Sequence, residues 1–342
     1  SNAHADPVIA NSVFDEFPPV IRERYAAAVA KHRLYREIVA TIVANDVVHH
    51  LGITSLAHLA DFVGGEPEEI VRAYFVAARC FGVRETYRAV EALDRVDGET
   101  RLDMLLQIVQ LARRSTRWFL RHRRNALDVA ALSGHFGPNV TLLAECRGAL
   151  MGTSGRNRRD EQAKRWTAAG VPVALAEACG NAASLVTTLP IVDASERHGG
   201  SVRAVAHAFA ALNSTLSIDW LADQLSRVVP TSVWQAMERD LLLDDLMSEH
   251  ALIAGLICSE GVGSDRAGGE TPMTDDAAAN AAAIDRWLER HPQFARAWRS
   301  AIDGAQRVPA PDFSLLSMTC RKASDLARSL VRITLPQGAA KG

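Results

Sequence analysis

The chain has 342 residues, of which 48% are hydrophobic and 23% charged, and its formal net charge is −2. That composition fills one large or two medium cores and excludes wholesale disorder. Near-neutral charge lacks the footprint of a nucleic-acid binder, and no apolar run reaches the ~18 residues of a membrane span, so neither nucleic acid nor membrane is an expected partner.

Ser1, Asn2 and Ala3 read as the scar of a cleaved expression tag, and residues 1–13 as a flexible start. From Leu34 to Leu51 apolar pairs recur every fourth position, at Leu34/Tyr35, Ile38/Val39, Ile42/Val43 and Val47/Val48. That beat is one face of a helix, and Gly52 is its predicted stop. His49 and His50 close this helix. Adjacent side chains leave a helix in different directions, so the two cannot chelate a metal as an i, i+4 pair does; they suit the negative helix end. The next helix is predicted to start at Pro67, with Glu68 and Glu69 in its first turn, and to stop at Gly82.

Residues 99–124 carry the clearest long helix. Leu102, Leu105, Val109, Ala112, Thr116 and Phe119 alternate spacings of three and four, as a coiled-coil seam does. Arg114, Arg117, Arg121 and Arg124 form a second stripe, roughly 130° from that seam at 100° per residue. The plain reading of the stripe is a solvated or ion-paired face. The chemical reading is an anion or effector patch, because the guanidinium fork matches a carboxylate.

The small, polar run 151–158 is predicted to separate an N-terminal bundle, residues 14–150, from a C-terminal one, residues 159–335. Asp240, Asp244 and Asp245, with Glu238 and Glu249 near, read as a solvated helix face rather than an acid–base pair. Glycines at 261, 263, 268 and 269 mark residues 259–273 as a mobile loop. They are no dinucleotide fingerprint: the third glycine comes too late, and a helix rather than a strand precedes them. Val331–Leu335 is a weak strand candidate. Trp118, Trp166, Trp220, Trp234, Trp287 and Trp298 mostly fall at helical core spacing and are expected in the core. Cys80, Cys146, Cys179, Cys258 and Cys320 include no pair closer than 33 positions, which excludes a zinc knuckle and fits a reducing cytoplasm. The expected fold is therefore all-α, a multi-helix bundle in two packed subdomains, with no catalytic, cofactor or metal residue in view.

Several stretches resemble the large bacterial NAD-specific glutamate dehydrogenases. They are Phe17–Tyr25, His32–Thr41 with Asn45, Ala73–Tyr74 through Phe81–Gly82, Val90–Asp94, Arg117–Arg121 with Arg124, Ile218–Leu221, Trp234–Ala236 and Asp244–Leu246. They run in order along nearly the whole chain and are similar to the region that follows that family's catalytic domain. The resemblance implies a parent enzyme that deaminates L-glutamate oxidatively to 2-oxoglutarate and ammonia with NAD. The lysine-bearing substrate site and the Rossmann domain of that chemistry are not in this chain, which has four lysines. NAD is thus expected for the parent and no cofactor for this segment. The implied role is scaffold, oligomerisation or regulation, with the catalytic domain of the same polypeptide as partner and a homo-oligomeric parent. Two rival readings are a free-standing helical regulator with a ligand pocket in residues 201–258, and a segment that completes the active site.

Overall fold

The computed structural model describes residues 6–12, 14, 17–145, 150, 152–262, 273 and 276–334. Among them all regular structure is helical, seventeen α-helices and short 3-10 turns, with no strand. The all-α expectation is met. The chain divides into two compact units, residues 1–141 with 159–186, and residues 142–158 with 187–342.

The first unit contains α1 (Pro7–Ser12), α2 (Pro19–Ala30), α3 (Tyr35–Leu51), α4 (Ser55–Val63), α5 (Pro67–Phe81), α6 (Val83–Glu91) and α7 (Gly98–His122). A 3-10 turn at Arg124–Ala126 follows, then α8 (Val129–Glu145), α9 (Thr153–Ala168) and α10 (Val173–Leu185), of which α8 and α9 belong to it in part. Local chemistry sets the ends. Gly52 has φ +87 and ψ 152, a region that only glycine occupies readily, and a Cβ there would lie 2.6 Å from Arg113 Nη2. Pro67 opens α5 behind a capping box, in which the Glu66 amide donates to Glu69 Oε2 at 2.9 Å, and Gly82 ends it in the left-handed region.

α5 is the centre of this unit. Ile70, Val71, Ala73, Tyr74, Phe75, Val76, Ala77, Ala78 and Cys80 are all buried, so the helix is apolar nearly all round. It packs on α7, which also meets α3, α4, α6 and α10. This surround corrects the predicted α7 seam. Ala112, Thr116 and Phe119 are buried, but Leu102 is 58% exposed, and Met104, Ile108, Leu111 and Ser115 are buried instead. A helix enclosed from several sides buries more than one stripe, so a two-residue seam misplaces its edge. Residues 159–186 group with the N-terminal helices. Trp166 Nε1 donates to Asp103 Oδ2 at 3.1 Å, Arg159 Nη1 donates to Asn181 Oδ1 at 3.1 Å, and Ala182 and Val186 pack on Leu111.

The second unit contains α11 (Thr188–His198), α12 (Val202–Thr215), α13 (Ile218–Arg227), α14 (Val233–Val262), α15 (Ala277–Arg290), α16 (Pro292–Gln306) and α17 (Phe313–Thr334). The thirty-residue α14 is its axis, packed by α11, α12, α13 and α17. Its run Ala251–Cys258 is mostly buried, and Gly255 allows α11 close: a Cβ there would sit 3.1 Å from the Ala194 carbonyl oxygen. The helix continues through Val262, so the first four residues of the expected loop 259–273 are helical. Residues 263–272 of that loop lie outside the described residues. Residues 331–334 of the weak strand candidate finish α17, whose packing against α14 and α16 outweighs their β-branched character; Leu335 lies outside the described residues. Asp244 and Glu249 are buried rather than solvated, and Arg328 Nε donates to Glu249 Oε1 at 2.6 Å. Trp118, Trp166, Trp287 and Trp298 are in the core as expected, whereas Trp234 is 74% exposed.

Candidate functional site

Two members of the arginine stripe, Arg114 and Arg124, and the neighbouring Arg113 reach backbone carbonyls. Arg113 Nε donates to the Leu51 carbonyl at 2.5 Å, Arg124 Nη2 to the Val63 carbonyl at 3.1 Å, and Arg114 Nη1 to the Ala183 carbonyl at 3.3 Å. Those carbonyls sit in the last turns of α3, α4 and α10, where four oxygens per helix have no partner within the helix and the dipole favours a cation. Arg124 Nε also lies 3.3 Å from Glu69 Oε2, and Arg123 covers the Phe136 ring at 5.4 Å. Arg117 and Arg121 have interactions within the chain as well. Arg113, Arg114 and Arg124 thus tie helix ends together.

A different cluster lies on α3, α5 and α6. Asp46 and His50 are one turn apart on α3, with His50 Nδ1 3.0 Å from Asp46 Oδ1 and 2.9 Å from the Asp46 carbonyl oxygen. Tyr74, on the buried face of α5, brings its hydroxyl to 2.8 Å from the same Nδ1. Arg84 of α6 donates to Asp46 Oδ2 through Nε at 3.0 Å and through Nη2, and its guanidinium lies 4.9 Å from the Phe75 ring centroid. The side chains of Asp46 and Arg84 are 8% and 12% exposed, so this pair is buried.

Electrostatics follow from that burial. Desolvation pushes the Asp46 carboxyl up, but the hydrogen bond with His50 and the Arg84 guanidinium outweigh it, and the net shift is downward. Burial and the Asp46 charge both push Tyr74 above its ordinary range, so its hydroxyl stays protonated. For Arg84 desolvation lowers the pKa, but Asp46 raises it by more, and the group remains a cation.

Beside this network α3 and α6 enclose a groove of about 310 Å³. α3 contributes Ile42, Asn45, Asp46, His49 and His50; α6 contributes Arg88 and Glu91. His49 Nε2 is 3.3 Å from Glu91 Oε1, and Tyr87 packs edge-on against both histidine rings at 4.7 and 4.8 Å. The groove therefore gathers two carboxylates, two imidazoles, a guanidinium and a carboxamide beside one apolar side chain, Ile42. Sequence reasoning took His49 and His50 only as a pair with each other. The overlooked signal was the i, i+4 spacing of Asp46 and His50; Tyr74 and Arg84 carried no local sign.

Among the described residues no group of three or more His, Cys, Asp or Glu side chains converges as a metal site. Cys80, Cys179, Cys258 and Cys320 are buried, and burial pushes each thiol up to about 12, which removes their nucleophilic form.

Known proteins place the whole chain. Residues 1–325 match the family model described as glutamate dehydrogenase, C-terminal. An NAD-specific glutamate dehydrogenase of Pseudomonas aeruginosa is 30% identical over 325 residues, which are 95% of this chain and 19% of that protein. One of Halomonas elongata is 31% identical over 338 residues, 96% of this chain and 20% of that protein. One of Mycobacterium tuberculosis is 28% identical over 237 residues. The chain therefore spans about a fifth of the length of the first two relatives, and it belongs to the glutamate dehydrogenase C-terminal family.

Proposed function

We propose that this chain is a non-catalytic segment of an NAD-specific glutamate dehydrogenase, one that docks on the rest of its polypeptide and sets the geometry of the assembly. The parent oxidises L-glutamate to 2-oxoglutarate and ammonia with NAD; the residues that do so are assigned outside this chain. The family match and the one-fifth coverage of the relatives support this reading.

The observation that carries the docking role is an exposed apolar knob. Val229 is 83% exposed, Val233 63% and Trp234 74%, where α13 turns into α14. Isolated exposed valines are ordinary, but an exposed tryptophan beside two of them is the kind of anchor that dominates interfaces. We assign the remaining four-fifths of the polypeptide as its cover. In this reading the parent is a cytoplasmic homo-oligomer. In the chain alone, Trp234→Asp is expected to change stability by no more than ~0.5 kcal/mol, as surface substitutions do. In the full-length enzyme the same change is expected to weaken the assembly by on the order of 2 kcal/mol. Thermal unfolding of both proteins checks this, and an unaffected full-length enzyme contradicts it.

A regulatory role is the second reading, favoured by the polar groove between α3 and α6. A ligand held there would bias α7 through α3 and α6, both of which pack on it.

A further inference from the structure

α2 stands apart from the core it accompanies. No residue of Pro19–Ala30 is buried, and among the described residues it is the one α-helix with none. Its ends lend no support: no side chain caps it, its first turn holds no acid and its last turn no base. Ala26, Ala27, Ala28 and Ala30 favour a helix, but one of about twelve residues is marginal in water without a surface to pack on. Its neighbours in the chain are anchored. At α1, Ile9 is buried, Asp6 Oδ2 lies 3.7 Å from Arg72 Nη1, and the Ala10 carbonyl accepts from the Tyr35 hydroxyl at 3.5 Å; α3 packs on α7.

α2 nonetheless carries a face. Ile21, Tyr25, Ala28 and Val29 have the i, i+4, i+7, i+8 spacing of one apolar stripe, and Tyr25 on it is 52% exposed. Arg24 flanks the stripe, and Lys31, Arg33 and Arg36 follow the helix. All four cations are exposed, and none has an ion pair among the described residues. An apolar stripe accompanied by unpaired cations fits an apolar groove with an acidic rim.

We propose that α2 docks in such a groove on the upstream part of its own polypeptide. The family is the C-terminal one, and the first two relatives have about four-fifths of their length outside the match, so in them that part precedes α2. A partner tethered through α1 meets α2 at high effective concentration, which makes a short stripe sufficient. A lipid surface fits less well, since Ile21 and Val29 are the only large aliphatic side chains on the stripe. The inference rests on the docking reading above but assigns a separate surface, in the first unit rather than at Trp234.

Amide hydrogen exchange of the 342-residue chain and of the full-length enzyme tests it. The amides of residues 23–30 should exchange about tenfold or more slowly in the full-length enzyme. Tyr25→Glu, at an exposed position and so expected to fold, should return them to the rate of the chain alone. Arg33→Glu with Arg36→Glu should lower the protection by about threefold, the worth of rim charges. Slowing in the chain alone as its concentration rises would make a second copy the occupant, and slowing on vesicles containing phosphatidylserine would make it a membrane. Either result overturns the proposal, as do equal rates in the two proteins or protection that Tyr25→Glu leaves whole. The Trp234→Asp experiment judges the other surface separately: an inert Trp234→Asp beside a protected α2 sinks the knob and keeps this helix, and the reverse sinks this helix alone.

Discussion

Replacing Asp46 with alanine is expected to destabilise the first unit by roughly 3–5 kcal/mol, the cost of leaving a buried charge without its partner. Arg84 is 12% exposed at its side chain, and Asp46 is its carboxylate partner, through two nitrogens. The same substitution frees His50 Nδ1 and the Tyr74 hydroxyl from the group that orients them. Arg84→Met, which removes the cation but leaves Asp46 with His50, should cost less than Asp46→Ala. The double variant Asp46→Ala with Arg84→Met should be more stable than the sum of the two single losses, since neither charge is left alone. Denaturant unfolding of the four proteins checks the order, and strict additivity would mean that the pair contributes nothing as a pair. The pH dependence has a definite sign. The folded carboxyl lies below its ordinary 3.8, so its contribution is complete above about pH 4 and is lost as pH falls through the folded value.

The second large effect belongs to His250, on α14 in the second unit. It is 1% exposed, and its ring stacks on Phe209 at 3.7 Å between centroids. Neither ring nitrogen has a hydrogen-bond partner of normal geometry. Desolvation lowers its pKa to about 3, offset only in part by the Phe209 backbone. The unfolded chain takes up a proton near the ordinary 6.5, whereas the folded protein does not until near 3. Stability attributable to this residue is therefore whole above about pH 6.5 and falls between there and pH 3. At pH 4.5 the loss is on the order of 2–3 kcal/mol, at 1.36 kcal/mol per unit. His250→Leu should remove that slope and be no less stable than the native chain at pH 7.5, because no buried nitrogen is then left unmet. Urea midpoints of the two proteins from pH 7.5 to pH 4.5 give the answer; parallel curves would contradict it.

These two sites show where sequence reading stops. Helix periods and their ends are local, so the four-residue beat of α3, Gly52, Pro67 and Gly82 could be read from neighbouring letters. Arg84 and Asp46 are 38 positions apart, and only the packing of α3, α5 and α6 brings them to Tyr74. The arginine stripe was visible as charge, but Arg114 and Arg124 meet the carbonyls of Ala183 and Val63, and backbone groups have no letter. Trp234 shows the converse limit. Its residue type argues for a core, yet it stands just past Pro230 at the first turn of α14, outside the packed stretch of that helix. The α7 seam was misplaced for a related reason: a pattern gives the period of a helix, while the number of neighbours decides how wide its buried face becomes.

The most direct test of the account is a glutamate-plus-NAD assay of this chain beside the full-length enzyme, followed by NADH absorbance. The account predicts that the full-length protein turns over and that the 342-residue chain, folded and at equal concentration, reduces no NAD. Reduction of NAD by the chain alone would contradict it and place a dehydrogenase site among these helices.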